Sequence, residues 1–432
     1  MRLSSSEPTK DSPRGKWGGR IARGMAGLIL AVCLTGAVRE EIGTWWAHAG
    51  TLEGYRRAEK WDPGNPAYPA AIARLQAAGV ETADAQLMAR ELEKAARLGP
   101  DRAINWSNLA EAYGQEGGNA EAERSFERAL EIFPKSPEIN WQYANYLVRT
   151  GYAECASRAL EETILGDAGM REAAFDLAWR GGLGEANILD LIPAKQEILS
   201  AYLDYLVRTE RLEAAAKVWE RLAASPEKFD MDAAFRYFDA LREAHQVNAM
   251  WTVWTDLARH DPEKIRWEPE RTNLLQNGSF EWPMLDGGFG WRAVPSEDAT
   301  IALDAATAED GRQSLEITFD GKSNVEFGNV AQYVAVEPST RYHFDAYERT
   351  EGITTDSGPR ITIYDAYERE SVSVETANLV GTRAWTEQAA TFETGPETRL
   401  IVVQVVRPRS LKLDNQIAGT IWLDHCRLTK IR

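Results

Sequence analysis

The sequence predicts a multidomain α + β protein, in which a helical half precedes an antiparallel β-sandwich. Three patterns support this prediction. Apolar residues recur at helical spacing over residues 55–260, and the pattern repeats after about 34 residues. Over residues 273–432, short runs alternate between apolar and polar residues and are separated by turn-forming residues. Before both halves, residues 24–38 are uncharged and largely apolar.

Composition and charge limit the partners that the chain can bind. The 432 residues carry a net charge of −17. A phosphate backbone needs a basic protein face, so nucleic-acid binding is disfavoured. Basic side chains are concentrated in residues 1–23, which leaves the remainder still more acidic. The three cysteines do not form a disulfide framework.

The amino-terminal residues indicate a membrane segment. The uncharged run at 24–38 lies between Arg23 and Arg39, although a full span usually takes about 20 apolar residues. We interpret 1–23 as a basic cytoplasmic tail and 24–38 as a transmembrane anchor. This predicts a single-pass protein of a bacterial inner membrane with its bulk in the periplasm. Two alternatives stay open: a cleaved signal peptide at Thr35-Gly36-Ala37 and a lipoprotein signal at Cys33.

The helical half contains a repeat that is clearest at 103–136. Large apolar side chains share one face of a first helix, and small residues let a second helix cross closely before a proline ends it. These positions are Trp106, Leu109, Ala110, Tyr113, Ala122, Phe126, Ala129 and Pro134. Their order resembles the tetratricopeptide repeat, a pair of antiparallel helices. Shifting it by about 34 residues predicts units at 69–102, 103–136 and 137–170 of an α-solenoid.

The resemblance to tetratricopeptide repeats implies a protein or peptide partner, held in a concave groove that first-helix positions line. Among the positions of this sequence that match, the predicted groove residues are Ser107, Glu111, Trp141 and Asn145. An alternative for Trp141 is that it only packs between neighbouring repeats.

The carboxy-terminal half, which follows a linker at 261–272, carries an ordered series of short motifs. The series is Asn277-Gly278-x-Phe280-Glu281, Gly290-Trp291, Gln332-Tyr333-Val334, Gly381-Thr382-x2-Trp385 and Ile421-Trp422-Leu423-Asp424. It resembles the galactose-binding-like jelly rolls that include carbohydrate-binding modules, over 273–432. The order of segments in the whole chain also resembles envelope proteins of bacterial exopolysaccharide systems. Both resemblances imply a polysaccharide partner for the sandwich.

The same resemblance implies a structural calcium ion between the first and last strands. Glu281 and Asp424 occupy the matching positions, and carboxylate oxygens are suitable calcium ligands. An alternative is that both carboxylates cap strand ends by hydrogen bonding.

A glycan platform needs a flat aromatic ring beside polar groups that can bind hydroxyls. Alternation places Asp345, Tyr347 and Arg349 on the outer side of one strand, and Arg360 and Tyr364 on the outer side of another. If these strands are neighbours, the five residues form one platform. The alternative is an ordinary solvated face. A second aromatic group, Trp282, Phe289 and Trp291, would be a rim contact or a plug for one end of the sandwich.

Sequence motifs for catalysis are missing from the chain. There is no GxSxG elbow, P-loop, HExxH or CxxC motif. We therefore predict a non-enzymatic, membrane-anchored adaptor that holds a protein on its helices and a glycan on its sandwich, in exopolysaccharide assembly or export. The alternatives are a protein-only scaffold with a structural sandwich and a polysaccharide-modifying enzyme.

Overall fold

The computed structural model describes residues 14–79, 85–266 and 272–431, with side chains from Met25 onward. The chain forms two compact units, Met1–Pro193 and Ala194–Arg432. The division falls inside the helical region, so the second unit contains the last four helices together with the sandwich. Residues 267–271 of the predicted linker at 261–272 lie outside the described residues.

Helices occupy the amino-terminal half, and their arrangement in consecutive pairs confirms a helical repeat region. The first unit contains α1 (Arg14–Ala47), α2 (Leu52–Trp61), α3 (Ala67–Ala77), α4 (Ala85–Leu98), α5 (Ala103–Glu116), α6 (Asn119–Ile132), α7 (Pro137–Arg149), α8 (Ser157–Gly166), α9 (Arg171–Arg180) and α10 (Glu185–Leu191). The second unit contains α11 (Gln196–Arg208), α12 (Leu212–Ala224), α13 (Met231–Glu243) and α14 (Val247–His260).

The α5–α6 hairpin shows why the repeat pattern forms paired helices. Gly117 ends α5 with a φ of +83°, a left-handed conformation that costs glycine little. Ala122 and Ala129 are fully buried on α6, where small side chains let the two helices approach. Phe126 is also fully buried, and its ring centroid lies 5.1 Å from that of Tyr143 on the next hairpin. The apolar positions therefore join consecutive hairpins.

Helix α1 contains the segment that was predicted to cross a membrane. Its apolar side chains are exposed, with Leu28 at 69% and Val32 at 63%. The uncharged run stops at Arg39-Glu40-Glu41, short of a full span. Among the described residues, no helix is both long and apolar enough to cross a membrane. The predicted membrane helix at 24–38 is therefore not supported. Residues 1–13 of the predicted tail lie outside the described part of the chain.

The carboxy-terminal half is an antiparallel β-sandwich, as predicted. Its strands are β1 (Arg292–Ala293), β2 (Ala299–Asp304), β3 (Ser314–Asp320), β4 (Phe327–Ala335), β5 (Arg341–Ile353), β6 (Arg360–Asp365), β7 (Ser373–Glu375), β8 (Gly381–Glu393), β9 (Leu400–Arg407) and β10 (Ala418–Lys430). Sheet A has the order β1-β4-β9-β6-β7, and sheet B has the order β2-β3-β10-β5-β8. Consecutive strands β5 and β6 therefore belong to different sheets.

Alternate residues of both sheets meet in one apolar core. Sheet A contributes Val330, Val403 and Ile363, and sheet B contributes Phe344 and Leu423, each at most 1% exposed. Because successive side chains of a strand point to opposite faces, burial of this set fixes which residues face outward.

A glycine-rich loop attaches the last helical hairpin to the sandwich. Phe289 is 3% exposed, and its ring lies 4.8 Å from that of Phe238 on α13 and 5.8 Å from that of Trp254 on α14. A Cβ at Gly288, where φ is +58°, would lie 2.4 Å from the Trp254 ring, and one at Gly287 would lie 2.1 Å from Phe235. Only glycines let the loop approach the helices this closely.

The other two members of the predicted aromatic group, Trp282 and Trp291, lie in different environments. Trp291 is 1% exposed and packs on Phe280 within the sandwich core, at 5.2 Å between ring centroids. Trp282 lies under the guanidinium of Arg266, at 4.9 Å. Trp291 is thus a plug of the sandwich, whereas Phe289 packs against helices.

Polar contacts also join helix α13 to the sandwich. Arg292 on β1 donates two hydrogen bonds, of 2.7 and 3.0 Å, to the carboxylate of Asp239 on α13. The hydroxyl of Tyr367 donates to the carbonyl oxygen of Arg242 at 3.0 Å. A bidentate, partly buried arginine–carboxylate pair adds orientation as well as attraction. Helix α13 is therefore held on sheet A by a buried ring and by directional bonds.

One carboxyl group lies inside the sandwich without a hydrogen-bond partner. Glu348 on β5 is 0% exposed, and neither side-chain oxygen has a partner. It lies opposite Leu423 in the β5–β10 pairing, on the core side of the sheet. Burial raises the pKa of Glu348 to about 8, against the opposing effect of Arg360. The side chain is therefore neutral in the folded protein at neutral pH.

We expect Phe289→Ala to destabilise the second unit. The substitution leaves a cavity between α13 and α14, which typically costs about 3–5 kcal/mol. Differential scanning calorimetry of the full chain measures this as a lower transition midpoint. Phe133→Ala is the matched control, because Phe133 is 54% exposed and its loss should change stability by less than about 0.5 kcal/mol. Equal effects of the two substitutions would contradict the burial of the Phe289 ring between α13 and α14.

Stability should fall as the pH rises from about 4.5 to 8, because the unfolded chain releases the proton of Glu348 while the folded chain retains it. The slope is about 1.4 kcal/mol per pH unit at most. Glu348→Gln removes this dependence and should stabilise the protein at pH 8 more than at pH 5.

Urea unfolding across this pH range tests the Glu348 prediction, with Glu351→Gln as the control on the same strand, where the side chain is exposed. If the difference in unfolding free energy between Glu348→Gln and the unsubstituted chain is the same at every pH, Glu348 is not neutral in the folded protein.

Candidate functional site

The outer surface of sheet A carries aromatic and polar side chains that neighbouring strands bring together. We call this surface the tyrosine face. Its members are Tyr333 on β4, Arg360, Thr362 and Tyr364 on β6, Glu375 on β7 and Gln404 on β9.

Strand register builds the tyrosine face from two rows. In one row, Tyr333 pairs with Val402, and Val402 pairs with Tyr364. In the next row, Gln404 pairs with Thr362, and Thr362 pairs with Glu375. The inward residues Val330, Val403 and Ile363 fill the core, so the outward residues are fixed on the opposite side. Two phenol rings thus lie on either side of one valine, with an amide in the adjoining row.

Hydrogen bonds orient the polar groups of the tyrosine face. The Tyr364 hydroxyl donates to Gln404 Oε1 at 2.9 Å, and Gln404 Nε2 donates to the carbonyl of Gly328 at 2.6 Å. Arg360 Nη1 and Glu375 Oε1 form an ion pair at 2.6 Å. Burial raises the pKa of Tyr364, so this hydroxyl stays protonated and can donate. The guanidinium of Arg369 lies 4.1 Å from the Tyr364 ring centroid.

The end of helix α13 forms a wall beside the tyrosine face. The Arg242 guanidinium lies 4.7 Å from the Tyr333 ring centroid and donates to the Tyr333 hydroxyl. His245, with a φ of +58°, stacks on Tyr367 at 3.8 Å between ring centroids. Burial raises the pKa of Tyr367 to about 12. The wall and the sheet therefore form one surface built from helical and sandwich residues.

The predicted five-residue glycan platform does not form. Arg360 and Tyr364 lie on sheet A, whereas Asp345, Tyr347 and Arg349 lie on sheet B. The prediction was wrong because β5 and β6, although consecutive in sequence, cross from one sheet to the other. The outward assignments themselves are correct for both strands.

The sheet B residues of the predicted platform are engaged by their neighbours. Asp345 is 3% exposed and accepts a 2.8 Å hydrogen bond from Arg427. The Arg349 guanidinium lies 4.9 Å from the ring centroid of Trp422 and covers it. Tyr347 contacts His425, with 5.7 Å between ring centroids. The three sheet B residues of the predicted platform therefore each contact a neighbouring side chain.

Sequence reasoning missed Tyr333, Gln404 and Arg242. Alternation along β4 and β9 could have placed Tyr333 and Gln404 on the outer side of their strands. The pairing of β9 with both β4 and β6 joins them to Tyr364, and no local signal gives that order. Arg242 is distant in sequence, and only the docking of α13 brings it to the site.

Glu281 and Asp424 hold loop amides rather than a set of metal ligands. Glu281 accepts hydrogen bonds from the backbone N–H groups of Arg312 and Gln313 and from Arg312 Nε. Asp424 accepts from the N–H groups of Glu309, Asp310 and His425. Within the described residues, no group of three or more histidine, cysteine or acidic side chains is placed to hold a metal.

This arrangement of Glu281 and Asp424 does not fit calcium, because the surrounding groups present N–H donors where the ion needs oxygens. It agrees with the alternative in which the two carboxylates cap backbone groups.

The predicted groove residues of the first unit differ in their exposure. Ser107 is 0% exposed and donates to Gln142 on α7. It therefore packs between first helices and cannot line an open groove, which corrects its assignment. Glu111, Trp141 and Asn145 are partly exposed. Asn145 Nδ2 donates to the Trp141 carbonyl at 2.8 Å, a bond within α7.

Comparison with known proteins gives one short sequence match. No protein-family model matches the chain. A stretch of 137 residues is 28% identical to the cytochrome c-type biogenesis protein CycH of Pseudomonas aeruginosa. The match covers 32% of this chain and 28% of that protein, so the chain spans less than a third of its relative.

Solved structures align with the part of the chain that is about the size of the sandwich. They include a family 16 carbohydrate-binding module (20% identity, 36% of this chain, 99% of that chain, TM-score 0.25). Another is a putative sugar-binding protein from Bacteroides thetaiotaomicron (11% identity, 37% of this chain, 100% of that chain, TM-score 0.28). At these TM-scores the structures carry no argument about the ligand of this chain.

Removal of divalent metals should leave the sandwich intact, because Glu281 and Asp424 are satisfied by amide donors. We expect the thermal midpoint of the full chain to be the same with calcium and with excess EDTA. A calcium concentration of about 5 mM is more than about a thousand times the dissociation constant of a micromolar site and would fill it. A fall of several degrees on chelation would show that a metal is part of the fold.

Proposed function

We propose that this chain is a non-enzymatic binding protein whose sandwich holds a glycan on the tyrosine face. The observation that carries the proposal is the row in which Tyr333 and Tyr364 lie on either side of Val402. The adjoining row supplies an amide, a hydroxyl and a carboxylate paired with Arg360.

The chemistry of this surface suits a sugar. The C–H groups on one side of a pyranose ring pack on an aromatic ring, while its hydroxyls need donors and acceptors at the margin. Tyr364 supplies the ring, and Gln404 and the Arg360–Glu375 pair supply both kinds of polar group. Because Arg360 and Glu375 neutralise each other, this pair does not itself select for a charged glycan.

The helical half supplies a second proposed surface, for a protein partner. Glu111 and Trp141 are partly exposed on α5 and α7, the first helices of consecutive hairpins. Helical repeats generally use such surfaces for binding. A setting in exopolysaccharide assembly or export, outside the cytoplasm, stays a prediction, as does the absence of enzymatic activity.

A protein-only scaffold is the alternative, and one observation favours it. Arg242 covers part of Tyr333, and the polar groups of the tyrosine face already bond to each other. In that case the surface would stabilise the contact between α13 and sheet A without binding a ligand.

A glycan array with the full chain, followed by calorimetric titration of any glycan that binds, tests the proposal. Tyr364→Ala should weaken binding at least about fivefold, since stacking on one ring contributes about 1 kcal/mol or more. Tyr347→Ala on sheet B and the 62% exposed Tyr152→Ala should bind like the unsubstituted chain.

The thermal midpoint of each variant shows that it is folded. If no glycan binds, or if Tyr347→Ala loses binding while Tyr364→Ala keeps it, the tyrosine face is not a glycan site.

A further inference from the structure

Two leucines project from the end of the sandwich into solvent. Leu411 and Leu413, in the loop between β9 and β10, have relative exposures of 101% and 104%. These are the largest values among the exposed large hydrophobic side chains of the described residues. Single exposed apolar residues are ordinary on a surface, but two fully exposed leucines on one loop tip form a candidate contact point.

The base of this loop is held in place while its tip is open. Ser410 donates to Asp356 at 2.6 Å, and its own N–H donates to Asn324 at 3.0 Å. Lys412 lies between the two leucines in sequence, and its Nζ forms an ion pair with Asp356 Oδ2 at 3.2 Å. Arg407, which is 0% exposed, bonds to several carbonyl oxygens beneath the loop. The leucines are thus presented by a loop that needs little further ordering to bind.

An open apolar groove lies at the other end of strand β9. It measures about 490 Å³ and lies between α14 and the sandwich. Its apolar lining comes from Val247, Trp251, Leu274, Ala335 and Val336. The indole of Trp251 is 41% exposed. Arg399 also borders the groove and is an exposed cation.

The loop and the groove are too far apart to meet within one chain. Arg399 immediately precedes β9, and the loop immediately follows it. A strand of 8 residues is about 26 Å long. The leucines of one chain could therefore reach a groove of this kind only on another molecule.

We propose that copies of this chain associate head to tail, with Leu411 and Leu413 of one copy seated in the groove of the next. Asp414, directly after the leucines, is exposed and then faces Arg399 at the groove margin, so this pair of charges is complementary. Each copy contributes a different surface, so the contact is heterologous and repeats along a ring or filament. This proposal is independent of glycan binding by the tyrosine face.

A bilayer surface is a less suitable partner for the two leucines than a second copy of the chain. The chain carries a net charge of −17, which repels anionic lipid. The two cations beside the leucines face carboxylates, Arg409 to Glu326 at 3.8 Å and Lys412 to Asp356 at 3.2 Å. The loop tip therefore lacks the basic excess that usually accompanies apolar insertion.

Sedimentation velocity of the full chain over a range of concentrations tests the proposal. The unsubstituted chain should form species larger than a dimer. The double variant Leu411→Ser/Leu413→Ser removes the projecting side chains, and Asn248→Trp fills the groove from an exposed position. Each variant alone should associate at least about 100-fold more weakly, given the value of burying two leucines.

An equimolar mixture of the two variants separates this account from others. The leucine variant retains a groove and the groove variant retains leucines, so the mixture should form a capped 1:1 dimer and nothing larger. Reversal of charge by Arg399→Glu should weaken this dimer, and Asp414→Arg on the other partner should restore it.

The proposal is overturned if the unsubstituted chain is monomeric, if assembly persists in the leucine variant, or if the mixture does not form a dimer. Flotation with phosphatidylglycerol–phosphatidylethanolamine vesicles addresses the bilayer. Leucine-dependent flotation of an otherwise monomeric chain would assign the loop to a membrane and overturn self-association.

Discussion

Burial of the Phe289 ring between α13 and α14 is the contact on which the second unit depends. Two consecutive glycines let the loop come within reach of Phe235 and Trp254, and Arg292 then fixes the orientation of α13 through Asp239. The hydrophobic term favours docking at any angle, whereas the bidentate ion pair selects one. Because α13 is held in this way, its final turn and the turn that follows bring Arg242 and His245 to the edge of sheet A.

The sandwich then divides its residues between a core and two unlike outer surfaces. On sheet B, cationic side chains cover the indole of Trp422 and the carboxylate of Asp345. On sheet A, the phenols lie beside an amide and a neutralised ion pair. Surface ion pairs contribute little to stability, so the Arg360–Glu375 pair adds little to the stability of the sandwich. The unpaired carboxyl of Glu348 is the exception inside the core, and its neutrality is what makes its burial tolerable.

Local patterns in the sequence predicted the elements well, and long-range pairing explains what they did not predict. The helical hairpins follow from Trp106, Leu109 and Phe126, whose spacing lies within a single repeat. Ser107 matched a groove position, but its partner Gln142 is 35 residues away, so its burial had no local signal. Alternation correctly turned Tyr347 and Tyr364 outward. It could not show that the chain changes sheets between them, because strand order depends on contacts across the whole sandwich.

The central claim is that helices α13 and α14 and sheet A form one cooperative unit, which presents the tyrosine face. Native-state hydrogen exchange of the full chain in increasing denaturant tests this claim most directly. Slowly exchanging amides of α13, α14, β4 and β9 should open together, with one free energy and one dependence on denaturant. If the amides of α13 and α14 open with those of α5–α8, at lower denaturant than the sandwich, the helices are not part of that unit and the claim is wrong.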